Sequence, residues 1–233
     1  MQQANIIEGV VQQQDITSSI KPLPRKTHAQ RLELSDSRMF DAAVQLIVEQ
    51  GTAKTTLKAV GESAGYSRGL AGSRFNSKMG LFCFVIKRVA EYWLAEMKKA
   101  TNNKSGYAAI YATIDAHYQF NKKTPLPVRA FYILWFESMG QESEMRDVVA
   151  SIHRRRLRDV TEWIEDGILS GEISPYTDPR AVAQYFLTSV VGIVYQGLVD
   201  PGQESEIESL HENLKKTMRH LLLNTEAESE VNS

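Results

Sequence analysis

Ser67 stands in Gly65-Tyr66-Ser67-Arg68-Gly69, the G-x-S-x-G spacing of a hydrolase nucleophile elbow. That chemistry needs a sharp turn from strand into helix, and the residues before Gly65, Ala59 to Ala64, carry a helical pattern instead. A serine hydrolase using Ser67 is therefore kept only as an alternative, and no catalytic residue is assigned. The five histidines, at 28, 117, 153, 211 and 220, include no pair four apart and no neighbouring cysteine, so no metal site and no cofactor are expected. The single cysteine, Cys83, lies in Leu81-Phe82-Cys83-Phe84-Val85-Ile86 and reads as a small buried side chain. His153-Arg154-Arg155-Arg156 with Arg158 could receive an anionic head group. Consecutive helical residues are turned about 100° apart, however, and Glu144, Asp147, Asp159 and Glu162 offer partners for a solvated, ion-paired face.

Residues 55–81, TTLKAVGESAGYSRGLAGSRFNSKMGL, carry a more coherent chemistry: two short helices around a glycine-containing turn, with small, polar and basic residues on the second. This is the spacing of a helix-turn-helix. Leu57, Val60 and Ala64 give the first helix a bracing face. The second keeps Leu70 or Ala71 with Phe75 inward, leaving Ser67, Arg68, Gly69, Gly72, Ser73 and Arg74 for a major groove. Arginine pairs bidentately with a guanine edge or clamps a phosphate, and the serines donate to either. Thr55 or Thr56 at one helix start, and Lys78 at the next, are placed to hold backbone phosphates.

The elements that must position this motif are helical. Residues 1–34, with five glutamines in the first fourteen positions and the breaker Lys21-Pro22-Leu23-Pro24, read as a flexible tail whose second half is basic. Apolar spacing then predicts helices over 36–50, from Thr55 to Gly65, from Ser67 to near Phe75, and from Lys78 almost to Ala100. Further helices are expected over 105–121, 127–140, 142–170, 179–198 and 204–223. Asp178-Pro179 places a cap before a first-turn proline, Gly171 stands at a helix C-terminus, and Ser205 with Glu208 fits a capping box. The expected fold is all-α with about nine helices: a DNA-binding head over 35–80 with its motif at about 56–75, a body over 81–223, and a frayed tail over 224–233.

The charge distribution agrees with such a division. The net charge is −1, yet residues 1–100 carry 14 Lys/Arg against 9 Asp/Glu, and residues 101–233 carry 13 against 19. A basic N-terminal part suits contact with phosphate. With 42% hydrophobic residues, no long uninterrupted apolar run and no signal-peptide pattern, a cytoplasmic chain without a membrane segment is expected.

The block from Arg38 to about Trp93 resembles the N-terminal domain of the TetR/AcrR family of transcriptional regulators. The features that carry the resemblance are an alanine-containing first helix ending in Glu49-Gln50-Gly51, the Thr55-Thr56 start, Ala64-Gly65-Tyr66-Ser67 at the turn, and Phe75-Asn76-Ser77-Lys78 followed by Leu81. The resemblance implies a three-helix DNA-binding head, a helical ligand-binding body and a homodimer, usually a repressor released from its operator by a small molecule. It departs from the family pattern at Gly72, where many members place a phosphate-binding tyrosine. A phosphate contact is then expected to move to Arg74.

Large side chains between Trp93 and Met139 suggest a mainly hydrophobic effector lined by Trp93, Tyr111, Ile114, His117, Tyr118, Trp135 and Met139. Residues 181–198 are apolar around most of their circumference, and Ser189, Gly192 and Gly197 would permit close approach. With 204–223 they are the expected homodimer elements, presenting two recognition helices to a double-stranded, pseudo-palindromic operator. The fourth helix, with Lys78 at the head and Trp93 and Met97 in the body, is the expected lever between effector and DNA. A helical protein-binding adaptor is the remaining alternative.

Overall fold

Helix starts in this chain are set by short hydroxyl side chains. Thr56, Ser67, Ser77 and Ser143 each take extended backbone geometry and accept a hydrogen bond from the amide three residues on, satisfying a donor that the helix itself leaves unpaired. The computed structural model describes residues 27–140 and 143–223. Among them are nine helices and no strand: α1 (His28–Lys54), α2 (Leu57–Ser63), α3 (Arg68–Phe75), α4 (Lys78–Thr101), α5 (Gly106–Lys123), α6 (Pro125–Glu137), α7 (Glu144–Leu169), α8 (Pro179–Val199) and α9 (Glu204–Leu223).

Several boundaries differ from the sequence expectation, α6 for one covering Pro125–Glu137 instead of 127–140, and three of the differences have a local cause. α1 begins at His28, because Thr27 and Gln30 close a reciprocal capping box, so residues 28–34 are helix rather than tail. Glu33 on this extension pairs with Arg88 of α4 at 2.6 Å. The rest of the expected tail, 1–26, and the closing 224–233 lie outside the described residues. Second, Thr56 rather than Thr55 caps α2, its hydroxyl accepting from the Ala59 amide at 3.1 Å. Third, α9 starts one residue before Ser205, which puts Ser205 inside the helix instead of at its cap. The Asp178 cap formed as expected, its carboxylate accepting from the Arg180 and Ala181 amides. Gly51, at φ 77°, interrupts α1 where the chain must turn.

Two apolar cores result. The first joins head to body: Met39, Phe40 and Ile47 of α1, Val60 of α2, Ala71 and Phe75 of α3 and Leu81, Val85 and Ile86 of α4 are continuous with Phe131, Leu134 and Trp135 of α6. The second lies within the body, among Ile110 and Ile114 of α5, Val160 and Ile164 of α7, Phe186 and Val190 of α8, and Leu214 and Met218 of α9. Each large aliphatic or phenylalanine side chain among them contributes about 1.5–3 kcal/mol through burial. α4 serves both ends. At its head end a Cβ on Gly80 would meet the Phe75 carbonyl oxygen at 2.2 Å, so glycine lets α4 seat directly on the end of α3.

α8 is long and apolar enough to cross a membrane by length and composition, with mean hydropathy 1.4, but only 28% of that stretch is buried. Ala181, Gln184, Tyr185, Thr188, Gly192, Tyr195, Gln196 and Val199 are all exposed. Ala181, Tyr185, Thr188, Gly192, Tyr195 and Val199 recur at alternating steps of four and three, one stripe along the helix.

Candidate nucleic-acid interface and body cavity

α3 presents its outer face through residues that leave the backbone accessible. Ser67 caps it, its hydroxyl accepting from the Leu70 amide at 3.2 Å, and α2 precedes the turn where a nucleophile elbow would need a strand. Ala71 is fully buried and Phe75 packs on Phe84 with ring centres 5.0 Å apart. These two residues, four apart, fill the inward face, and Leu70 turns outward, 40% exposed, beside Gly69, Gly72 and Ser73. A Cβ at Gly72 would have nothing within 4 Å, so the place of the family's tyrosine is open space.

The residues expected to touch DNA divide into two groups. Gly69, Gly72 and Ser73 lie together on the outer face with Ser67, the Ser73 hydroxyl donating to the Leu70 carbonyl at 3.0 Å. Arg68 opens the helix. Thr56 and Lys78 flank it, and the Lys78 ammonium donates to the Ala53 carbonyl at 3.2 Å while lying 5.5 Å from the Phe82 ring. Thr55 and Arg74 are otherwise engaged. Thr55 is fully buried, its hydroxyl donating to the Gly51 carbonyl at 2.9 Å. Arg74 forks onto Asp36 of α1, with Nε donating to Oδ1 at 2.7 Å and Nη2 paired with Oδ2. Asp36 is 5% exposed. This hydrogen bond holds the Arg74 guanidinium above its ordinary pKa, against the opposing effect of burial. The expected transfer of a phosphate contact to Arg74 is thus met by a side chain bound to the protein itself. Of the two residues offered for the inward face, Ala71 takes it and Leu70 does not, as the four-residue spacing of Ala71 and Phe75 requires. Lys54 and Lys58 are exposed beside the motif.

In the body, α4, α5, α7 and α8 surround a small, partly open cavity of about 30 Å³ lined by Trp93, Met97, Thr113, His117, Arg156, Asp159, Val160, Phe186, Leu187 and Val190. It adjoins a wider mouth edged by Lys87, Glu91 and Arg155. Trp93 meets the His117 and Phe120 rings edge-on, both at 5.6 Å. The Arg156 guanidinium lies 5.6 Å from the rings of Phe131 and of Trp135. Among the described residues, Arg156 Nε and Thr113 Oγ1 are the buried side-chain polar atoms without a hydrogen-bond partner.

Behind this wall two histidines 94 residues apart meet, with His117 Nδ1 and His211 Nε2 separated by 2.9 Å. The Ile207 carbonyl lies 2.7 Å from His211 Nδ1, which must therefore donate, so His211 Nε2 accepts from His117 Nδ1–H. Burial pushes both imidazoles below their ordinary pKa, and for His117 the neighbouring His211 and Arg156 add to the effect. Spacing along the chain could not have shown this pair. The described residues contain no cluster of three or more His, Cys, Asp or Glu side chains.

Of the expected effector residues, Trp93 and His117 line the cavity and Trp135 backs Arg156. Ile114 is buried in the second core. Tyr111 is 39% exposed beneath the Lys215 ammonium, Tyr118 lines a separate surface groove, and Met139 is 57% exposed past the end of α6. The basic run divides too. Arg155 pairs with Asp159 and Arg158 with Glu162, each at 3.8 Å as four-residue spacing suggests, whereas Arg156 turns inward.

A capped two-helix motif on an all-α body defines a helix-turn-helix transcriptional regulator. Residues 40–83 match the family described as bacterial regulatory proteins, tetR family. Over 206 residues the chain is 22% identical to the uncharacterized HTH-type transcriptional regulator YfiR of Bacillus subtilis (strain 168), covering 87% of this chain and 98% of that one. It is 24% identical to the HTH-type transcriptional regulator SrpR of Pseudomonas putida, covering 79% and 84%. Its fold is similar to that of SmeT of Stenotrophomonas maltophilia, solved as a triclosan complex, with TM-score 0.67, 16% identity, and 82% and 93% covered. The match at residues 40–83 marks a tetR-family DNA-binding domain in this chain, and the relatives it resembles over most of its length are named as HTH-type transcriptional regulators.

Proposed function

We propose that the protein is a dimeric repressor that binds a pseudo-palindromic double-stranded operator in the cytoplasm and releases it when a mainly hydrophobic small molecule enters the body. The observation that carries this reading is the continuity of α4. Its first turn rests against the end of α3 through Gly80, and Trp93 and Met97 on the same helix line the cavity. A molecule that displaces those two side chains tilts α4, and the tilt reaches the head because close-packed helices move as units. Coupling of this kind amounts to about 1–3 kcal/mol.

Within the head, Ser67, Arg68, Gly69, Leu70, Gly72 and Ser73 form the reading face, with Thr56 and Lys78 on flanking phosphates; exposed Leu70 suits the methyl group of a thymine. Thr55 and Arg74 hold the head together. Dimerisation runs through the exposed stripe of α8 and the neighbouring face of α9, where Leu221 is 42% exposed. Gly192 has nothing within 4 Å of a Cβ, as close approach of a second helix requires, but Gly197 is spent inside the chain against Ile207. The head-body division near residue 80 follows the start of α4. SmeT, described as the repressor of a multidrug efflux pump and solved with triclosan, supports both the repressor and the effector reading.

The test is capture of genomic fragments by the full-length protein, followed by sequencing and by titration across salt. A recurrent pseudo-palindrome, retained less well as salt rises, is expected. Retention of no fragment even at low salt would leave the adaptor reading in its place.

A further inference from the structure

Four polar side chains enter the otherwise apolar cavity wall, Arg156, Thr113, His117 and Asp159, and among the described residues Arg156 and Thr113 carry the buried side-chain polar atoms that the fold does not satisfy. Buried donors are ordinarily paired, since an unpaired one costs free energy comparable to a lost hydrogen bond. Among the described residues no carboxylate lies within ion-pair distance of Arg156, although Arg155 and Arg158 on the same helix both have one. Asp159 also lines the cavity, but it faces Arg155 at 3.8 Å. Next to Arg156, His117 spends its Nδ1–H on His211 and stays neutral, so it adds no competing charge. Opposite lie Trp93, Met97, Phe186 and Leu187, an apolar lining for a chain or ring.

We infer that the effector is an amphiphilic organic acid, its carboxylate hydrogen-bonded by the Arg156 guanidinium and the Thr113 hydroxyl, its apolar part between Trp93 and α8. This rests on the effector-responsive reading above and narrows it: a hydrophobic body alone would fill the cavity and leave Arg156 as it is. A cationic ligand is disfavoured by the same side chain.

The experiment compares octanoate, octanol and octylamine, matched in chain and differing in head group, by quenching of tryptophan fluorescence and by thermal shift of the full-length protein near neutral pH. Octanoate is expected to bind at least about tenfold more tightly than octanol, the size of one charge-assisted hydrogen bond, with octylamine weakest. Arg156→Gln should erase the preference, Arg156→Lys should keep part of it, and Thr113→Val should weaken octanoate about threefold. Equal binding of octanoate and octanol, preference for octylamine, or no binding of octanoate overturns the inference, and the wild-type comparison decides this even where a variant does not fold. Fragment capture without any probe, run on the same preparation, separates the two failures. DNA retained with no preference for the acid leaves the regulator standing and removes the acid.

Discussion

The head and the body treat their polar side chains in opposite ways. Around α3, the polar groups that structure the motif have partners within the chain: Ser67 and Thr56 on backbone amides, Ser73 and Thr55 on carbonyls, Arg74 on Asp36. Around the cavity, Arg156 Nε and Thr113 Oγ1 have none. A surface that reads DNA is wet when free, so its side chains tolerate solvent and its internal bonds serve to fix the helix in place. A buried cavity cannot rely on solvent in the same way, and an unpaired group there marks where another molecule belongs. Two arginines in one fold thus mean different things: Arg74 holds the structure, and Arg156 waits on a ligand.

The largest expected effect tests the first of these. Arg74→Ala leaves the Asp36 carboxylate buried without its partner, and breaking a fully buried pair costs about 3–5 kcal/mol. Arg74 is 39% exposed, so the cost is reduced by solvent to roughly 2 kcal/mol, a fall in Tm of about 4–8 °C. The double variant with Asp36→Ala should recover part of that loss. If thermal unfolding of Arg74→Ala matched the parent while operator binding fell, Arg74 would be a reading residue after all and the contrast would collapse.

Next in size is the histidine pair. Both imidazoles are held below 6.5, so over the pH range between their folded values and 6.5 the unfolded chain binds more protons, and stability falls as pH falls. At pH 5.5, one unit below the unfolded value, keeping His117 neutral costs up to about 1.4 kcal/mol. Thermal melts at pH 7.5 and 5.5 should show this loss, and His211→Gln, whose side-chain oxygen can accept from His117 Nδ1–H, should show a smaller one. An identical loss in parent and variant would assign the acid sensitivity elsewhere.

Arg156 itself gives the mirror image of Arg74. Arg156→Met replaces an unpaired, partly buried cation by an apolar side chain of similar length, and melts should show stability unchanged or raised by about 1 kcal/mol. A loss as large as that of Arg74→Ala would make Arg156 a structural residue.

Most of the fold was legible because helix punctuation is local. Gly51, Ser67, Ser77 and Asp178 act within a turn of their own position, and the apolar spacing that marks each helix spans only a few turns. α3 was legible for the same reason. What the sequence could not show depends on long-range pairing. Arg74 reads as a groove contact until Asp36, 38 residues away, is brought beneath it, and Arg156 reads as one more solvated charge until α7 is packed against α4 and α5, which sets its guanidinium over the Phe131 and Trp135 rings. Tyr111 and Met139 lie outside the cavity, because aromatic and sulfur side chains at helical spacing identify a face without identifying what lies opposite.

Gly72 gives the smallest effect and the most direct probe of the head. It sits inside an eight-residue helix, its φ is not in the left-handed region, and a Cβ there meets nothing within 4 Å. Gly72→Ala therefore adds no clash, and restricting the unfolded backbone stabilises the helix by about 0.5–1 kcal/mol, roughly 1–4 °C in Tm. The consequence for DNA depends on why the glycine is there. If α3 is loose when free and orders on the operator, alanine removes part of that ordering cost, and affinity should rise by a few-fold with an unchanged salt slope. If instead the backbone at Gly72 lies directly against the duplex, the added methyl group collides with it, and affinity falls although the head is more stable. Melting and operator titration on the same variant separate the two: parallel gains place Gly72 clear of the DNA, and opposite signs make it a point of backbone contact.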